Sequence, residues 1–226
     1  EGGQEVGISM SGVRLYASQM FAALKHLQSC NVLHADIKPD NILVNDKQNI
    51  CKLADFGSAS DDLDNPITPY LVSRFYRAPE IVLGMSYSFP IDVWSLGCTL
   101  YELYTGKILF ESKNNNEHLK LIMQLKGRFS NKMLRKSQFA YKHFDRDYRF
   151  LSRIDDPVLG KPIVKVVNVL EQTGDLRTLL QLATLDEDTD IRKRVLQLTD
   201  LLEKCLTLDP AKRISPSAAL QHDFFK

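Results

Sequence analysis

The sequence predicts a mainly α protein, an α+β chain whose helical body carries one small β-hairpin early on. Two observations predict it. Several segments repeat apolar residues every three or four positions, which is the period of an amphipathic helix. Two short apolar runs are split by a polar turn, which is the pattern of a hairpin. The chain has 226 residues, 44% hydrophobic and 25% charged. That length fits a single domain, and that composition excludes disordered and collagen-like chains.

The first ten residues are Gly-rich and weakly patterned. A helix is expected over 11–29, where Val13, Tyr16, Met20, Leu24 and Leu27 make one apolar stripe. Ser11 is its expected cap. The hairpin strands are Ile42–Val44 and Ile50–Leu53, joined by Asn45-Asp46-Lys47-Gln48-Asn49, and no other strand is expected. Ser58–Pro69 reads as a loop. Ile91–Tyr104 is densely apolar, and Gly106 is placed to end it as a buried helix. Further helices are expected at Glu117–Leu125, Leu176–Leu185, Ile191–Leu206 and Ser217–His222, with Pro210 between the last two.

Charge and cysteines narrow the function. Lys and Arg total 29 against 28 Asp and Glu, so bulk charge gives no reason to expect direct nucleic-acid binding. No apolar run reaches the roughly 18–20 residues of a membrane span, and no secretory leader is evident. Cys30, Cys51, Cys98 and Cys205 lie far apart without a Cys-x-x-Cys pair. They read as four buried free thiols in a reducing, intracellular setting rather than a zinc site or a disulfide framework. Lys120–Arg153 holds ten Lys and Arg against Asp145 and Asp147. It reads as a solvated face or as a docking patch for an acidic partner or a phosphorylated substrate. Asp186, Glu187, Asp188 and Asp190 form its acidic counterpart, at a loop leading into a helix.

The chemistry is concentrated in His34-Ala35-Asp36-Ile37-Lys38-Pro39-Asp40-Asn41 and, after the hairpin, Asp55-Phe56-Gly57. The hairpin returns the chain, so Asp55 is expected close to Asn41. A carboxylate and a carboxamide oxygen suit a hard divalent cation such as Mg²⁺. Asp36 and Lys38 are then placed to orient a hydroxyl and to neutralise a phosphate oxygen. Such a set suits phosphoryl transfer, in which catalysis is mostly positioning and electrostatics.

These segments resemble the large, C-terminal lobe of the eukaryotic protein kinases. His34–Asn41 resembles the catalytic loop, Asp55-Phe56-Gly57 the metal-binding triplet, and Ala78-Pro79-Glu80 the end of the activation segment. Asp92-Val93-Trp94-Ser95-Leu96-Gly97 resembles the central buried helix, and Asp209-Pro210-x-x-Arg213 the late arginine turn. On this resemblance 34–57 is the catalytic region, 58–80 the activation segment and 128–190 an insertion. It implies ATP and Mg²⁺ as cofactors and protein substrates. Asp36 orients the substrate hydroxyl and accepts its proton, Lys38 neutralises the γ-phosphate, Asn41 and Asp55 hold Mg²⁺, and Leu43 packs under the adenine. His34 and Phe56 stack in a buried spine, Asp92 ties the catalytic loop to the central helix, and Glu80 pairs with Arg213. Lys38 itself is similar to the serine/threonine kinases; tyrosine kinases usually lack it.

Thr68-Pro69-Tyr70 followed by Arg74 and Arg77 resembles the branch of mitogen-activated, cyclin-dependent and Tyr-regulated kinases. There Tyr70 is the phosphorylated residue, and both arginines bind its phosphate. Within that branch the chain is most similar to the pre-mRNA-splicing serine/threonine kinases. The likeness implies a nuclear or cytoplasmic enzyme acting on spliceosomal, Arg/Ser-rich proteins. Ala35 departs from the Arg that most kinases carry between His and Asp. The chain shows no Gly-rich phosphate loop and no Val-Ala-Ile-Lys strand, so the resemblance is to a C-lobe with the N-lobe absent. The chain opens at Glu1, and residues upstream of it are expected. The missing N-lobe is an expected partner, and this chain alone is expected neither to bind ATP tightly nor to transfer phosphate. The alternatives are a kinase-like non-catalytic scaffold, disfavoured by the presence of Asp36, Asn41 and Asp55, and a small-molecule phosphotransferase, disfavoured by Ala78-Pro79-Glu80.

Overall fold

The computed structural model describes residues 7–61, 67–155, 162–167, 172–184 and 188–226. Helix α1 spans Met10–Ser29 and buries Met10, Val13, Ala17, Met20, Phe21 and Leu24. Its cap is Ser9, whose Oγ accepts from the Gly12 N–H. Ser11 therefore lies two residues too late for the expected role, inside the first turn. After α1, β1 (Val32–Leu33) precedes the catalytic-type loop. Strands β2 (Ile42–Val44) and β3 (Cys51–Leu53) then pair antiparallel, with Ile42 opposite Leu53 and Val44 opposite Cys51. Asn45 closes this hairpin, its side-chain oxygen accepting from the N–H groups of Asn49 and Ile50.

The hairpin does not hold the only strands. β1 pairs with β4 (Ser60–Asp61), so the stretch read as the loop Ser58–Pro69 contains a strand; residues 62–66 lie outside the described residues. Two later strands pair within the insertion. They follow α2 (Pro79–Leu83), α3 (Pro90–Thr105), α4 (Asn115–Lys126) and α5 (Asn131–Arg135). β5 (Phe150–Asp155) and β6 (Pro162–Val167) form a six-pair antiparallel ladder. Phe150-Leu151-Ser152-Arg153-Ile154 mixes apolar and polar residues without strict alternation, and Ile163-Val164-Lys165-Val166-Val167 is rich in β-branched residues. Only the second is an ordinary strand signal; the first sits at the end of a basic stretch that reads as surface.

Helix α3 is the centre of the fold. Trp94, Leu96, Leu100 and nearly every other residue of Ile91–Tyr101 are buried. Gly106 ends the helix in the left-handed conformation at φ 72°. Gly97 lets α3 approach the later helix α7, since a Cβ there would sit 2.9 Å from Cβ of Cys205. The remaining helices are α6 (Leu176–Leu182), α7 (Thr189–Cys205) and α8 (Pro216–Ala219). α6 stops before the expected Leu185, and residues 185–187 are outside the described set. So are Asp186 and Glu187 of the acidic run, while Asp188 caps α7. Pro210 opens a short 3₁₀ turn, Pro210–Lys212. Cys51, Cys98 and Cys205 are buried free thiols, but Cys30 is exposed. It stands just past the end of α1, where no element covers it. Among the described residues no helix is long and apolar enough to cross a membrane.

Candidate active site

The loop between β1 and β2 is fixed from below by α3. Asp92, buried in the first turn of α3, accepts from the His34 N–H at 2.8 Å with one carboxylate oxygen and from the Ala35 N–H at 2.9 Å with the other. Burial pushes the Asp92 carboxyl up to about 6, against the two N–H bonds that pull it down. The anchored loop takes a left-handed backbone at Ala35, φ 62°, which a residue with a Cβ adopts only when its surroundings enforce it. His34 is fully buried and joins the loop to the far side of the hairpin. Its Nε2–H donates to the Ala54 carbonyl at 3.1 Å, and Nδ1 lies 3.3 Å from the Asp36 N–H as its acceptor. Burial lowers its pKa, so the ring is a neutral strut.

Asp36 is the hub. One carboxylate oxygen accepts from Lys38 Nζ at 2.9 Å and from Asn41 Nδ2 at 3.0 Å. The other accepts from the Ser73 N–H at 3.1 Å and the Ser73 hydroxyl at 2.7 Å. Lys38 Nζ also donates to Ser73 Oγ at 2.9 Å. Burial pushes the Asp36 carboxyl up, but the hydrogen bonds from Lys38 and Ser73 and the Lys38 charge together hold it below the usual range. It is an ionised acceptor that stays partly open to solvent. Asn41 spends its amide nitrogen on the Asp36 carbonyl and carboxylate. Its backbone carbonyl accepts from the Ala54 N–H at 2.9 Å, so the hairpin brings the Asn41 and Asp55 neighbourhoods together.

Asp55 also adopts a left-handed backbone, φ 60°, and one of its carboxylate oxygens accepts from the Gly57 N–H at 3.2 Å. Phe56 meets His34 with ring centroids 4.8 Å apart. The contact expected of a spine is present, but Phe56 is 48% exposed rather than buried. Among the described residues His34 is its one ring partner. Leu43, the expected adenine platform, is 61% exposed.

Ser73 is the site residue that sequence reasoning missed. It lies far from Asp36 along the chain, and nothing in its own neighbourhood marks a hydroxyl as the partner of that carboxylate. A strained turn delivers it. Val72 has φ 69°, a conformation unfavourable for a β-branched residue. Arg77 holds that turn, donating from Nη2 to the Val72 carbonyl at 2.8 Å and from Nε to the Leu71 carbonyl at 2.8 Å. Arg77 also donates to the Tyr70 carbonyl at 3.2 Å and to Asn115 Oδ1 at 2.6 Å. Burial, reinforced by the Arg74 charge, pulls its guanidinium down to about 10. Arg74 donates from Nη1 to the carbonyls of Ser112 and Lys113. Tyr70 is the most exposed of these residues, at 77%. The structure therefore brings Arg77 against the Tyr70 backbone while the phenol ring faces solvent.

The segment ends in a deeply buried pair. Arg213 donates to Glu80 through Nη1 at 2.6 Å and Nη2 at 2.9 Å, and both side chains are fully buried. Arg213 further donates to the carbonyls of Pro90 and Thr207 and lies 5.1 Å above the Trp94 ring.

A loop anchored on a buried helix, a strained turn that presents a hydroxyl to its carboxylate, and a sealed ion pair under the next helix make up a protein-kinase-like fold. The chain belongs to that family: the protein kinase domain model matches residues 3–225. It is similar to the serine/threonine-protein kinase prp4 of Schizosaccharomyces pombe, with 55% identity over 99% of this chain and 46% of that protein. It is also similar to the serine/threonine-protein kinase prpf4B of Dictyostelium discoideum, 48% identical over 99% of this chain and 28% of that protein. The dual specificity protein kinase lkh1 of Schizosaccharomyces pombe is 34% identical over 94% of this chain and 32% of its own length. The chain thus spans less than half the length of these relatives.

Proposed function

We propose that this chain is the large lobe of a protein kinase that transfers the γ-phosphate of ATP to serine or threonine hydroxyls of protein substrates. The observation that carries the proposal is the Asp36 carboxylate, held ionised by Lys38, Asn41 and Ser73. In this reading Ser73 marks the side from which the substrate hydroxyl approaches. Asp36 accepts a hydrogen bond from that hydroxyl, aligns its oxygen and takes its proton as the new bond forms. Lys38, already bonded to the same carboxylate, turns its ammonium toward the incoming phosphate and neutralises it.

The donor chemistry fits Mg²⁺. Asn41 commits its amide nitrogen to Asp36, so its side-chain oxygen is the end left for a cation, and Asp55 supplies a carboxylate. These two residues would hold the ion, which supplies charge neutralisation to the phosphates when bound. The exposed Leu43 offers apolar surface to an adenine ring. Within the described residues the strands form three separate two-stranded sheets, which supports reading the chain as the C-lobe, the floor of an ATP pocket that a small lobe completes. By itself the chain then neither binds ATP tightly nor transfers phosphate. Phosphorylation of the exposed Tyr70 would bring charge to the Arg74 and Arg77 neighbourhood and tighten the turn that carries Ser73. Arg/Ser-rich spliceosomal proteins as substrates and a nuclear location follow from the motif likeness to the splicing kinases.

The test is radiolabel transfer from ATP by the full-length protein to an Arg/Ser-rich protein, with an aminoglycoside as the competing acceptor. Asp36→Asn is expected to lower kcat by about a hundredfold to ten-thousandfold while the protein stays folded. Transfer to the sugar alone, or full activity in Asp36→Asn, would overturn the proposal.

A further inference from the structure

The hairpin of β5 and β6 has two unlike edges. On β5, Leu151 N–H donates to the His143 carbonyl at 2.8 Å, and the Leu151 carbonyl accepts from Asn116 Nδ2 at 2.9 Å. The Arg153 N–H donates to Asn116 Oδ1 at 2.8 Å. Leu151 and Arg153 therefore turn their backbones away from β6. In an antiparallel ladder the residues opposite them do the same on their own side. Those residues are Val166 and Val164. Among the described residues, nothing bonds to the outward N–H and C=O groups of either.

Among the described residues the protection of that edge is partial: Pro162, the first residue of the strand, offers no N–H to a neighbour, but the protection stops there. Natural edge strands are shielded by proline, bulges, inward charges or a covering element. Here Val164 and Val166 are each 52% exposed and Ile163 is 41% exposed, and the ladder runs without a bulge through all its pairs. Lys165 is the strand's one charge, on the face opposite Val164 and Val166. The surroundings are basic: Lys142, Arg146, Arg153 and Lys165 are exposed and have no ion-pair partner among the described residues. The local acids Asp145 and Asp147 are both taken by Arg149.

We propose that the outer edge of β6 binds an extended, acidic segment of a partner protein as an added strand. The backbone of Val164 and Val166 supplies the hydrogen bonds, which calls for an extended peptide rather than a helix. Strand periodicity sets the side chains. Alternate residues lie on the Val164 and Val166 face and are apolar, while those between lie on the Lys165 face and are acidic; Arg153, opposite Val164, stands on the former face and one strand further in. This surface is distinct from the Asp36 site, so the proposal stands apart from the catalytic reading.

The test uses the full-length protein and a labelled capped peptide of alternating valine and glutamate, read by fluorescence anisotropy and by hydrogen exchange. The comparison probes are the same peptide with lysine for glutamate and a single-stranded RNA. Val164→Pro deletes one outward N–H without touching the β5–β6 bonds, and Lys165→Glu reverses the recognising charge. Saturable binding of the glutamate peptide is expected, weakening as salt rises, with slowed exchange at the Val164 and Val166 amides. Each variant is expected to weaken it by about tenfold while phosphate transfer is unchanged. No saturable binding, equal binding of the lysine peptide, tighter binding of the RNA, or undiminished affinity in both variants would overturn the proposal. So would self-association of the protein through this edge that Val164→Pro abolishes, since the occupant would then be a second copy.

Discussion

Two carboxylates in this molecule each meet a cationic side chain, and their surroundings set them apart. Glu80 and Arg213 are fully buried and matched oxygen to nitrogen in two parallel bonds. Asp36 and Lys38 keep 15% and 24% of their side chains exposed, and Asp36 divides its acceptor capacity among Lys38, Asn41 and Ser73. A sealed bidentate pair holds two chain segments in one arrangement. A wet, shared carboxylate can exchange partners, which is what a group that must receive a substrate proton requires. On the proposed function the same pairing of charges serves architecture in one place and chemistry in the other, and burial is what separates them.

The sharpest way to break this contrast is to remove one charge from the sealed pair. Glu80→Gln keeps the shape but leaves the Arg213 guanidinium buried without its counter-ion. Losing one partner of a buried pair typically costs about 3–5 kcal/mol. The denaturant midpoint of the kinase region is expected to fall accordingly, and much of the loss is expected to return in the double variant Glu80→Leu, Arg213→Met. An unchanged midpoint in Glu80→Gln would show that the pair is not structural.

Asp92 lies between the two cases, buried like Glu80 but satisfied by backbone N–H groups rather than by a cation. Its pKa of about 6 lies above the ordinary carboxylate value of roughly 4 in an unfolded chain. Between those values the folded protein holds more protons than the unfolded one. The Asp92 contribution to stability is therefore complete below about pH 4 and is lost as the pH rises through about 6. In Asp92→Asn this component of the pH dependence is expected to vanish, together with a loss of about 1–3 kcal/mol for a backbone N–H left facing an amide. Urea midpoints of both proteins across that pH window would show it, and parallel profiles would sink it.

What the sequence disclosed of all this follows the range of the interactions involved. The helix over 11–29, the hairpin at Ile42–Leu53 and the buried helix ending at Gly106 are legible because their periodicities and caps are local. The loop from His34 to Asn41 is legible because its residues lie within eight positions of one another. The pairing of β5 with β6 was missed because Phe150–Ile154 does not alternate apolar and polar residues, and its strand conformation is set by the partner strand rather than by a local pattern. The strain at Val72, and the buried Arg77 that sustains it, left no mark in composition or spacing. They arise only once Asn115 and the carbonyls of Tyr70, Leu71 and Val72 converge on one guanidinium. Ser73 is hidden for the same reason, since its bonds to Asp36 exist only after the segment around Val72 folds back onto the loop between β1 and β2.

That hidden serine gives the smallest and most discriminating effect. Ser73→Ala removes the 2.7 Å hydroxyl bond to Asp36 and the 2.9 Å bond from Lys38, yet leaves the Ser73 N–H bond in place. One of the interactions that hold the Asp36 carboxyl down is then gone, so its pKa rises toward the ordinary value. A base that must be ionised loses activity at a higher pH when its pKa rises. The acid limb of kcat/KM is therefore expected to shift to higher pH, with kcat lowered by about tenfold or less at neutral pH. Ser73→Thr retains the hydroxyl and is expected to restore both. If the acid limb stays in place in the alanine variant, Ser73 merely packs the turn, and the contrast between a sealed pair and a shared carboxylate loses its catalytic half.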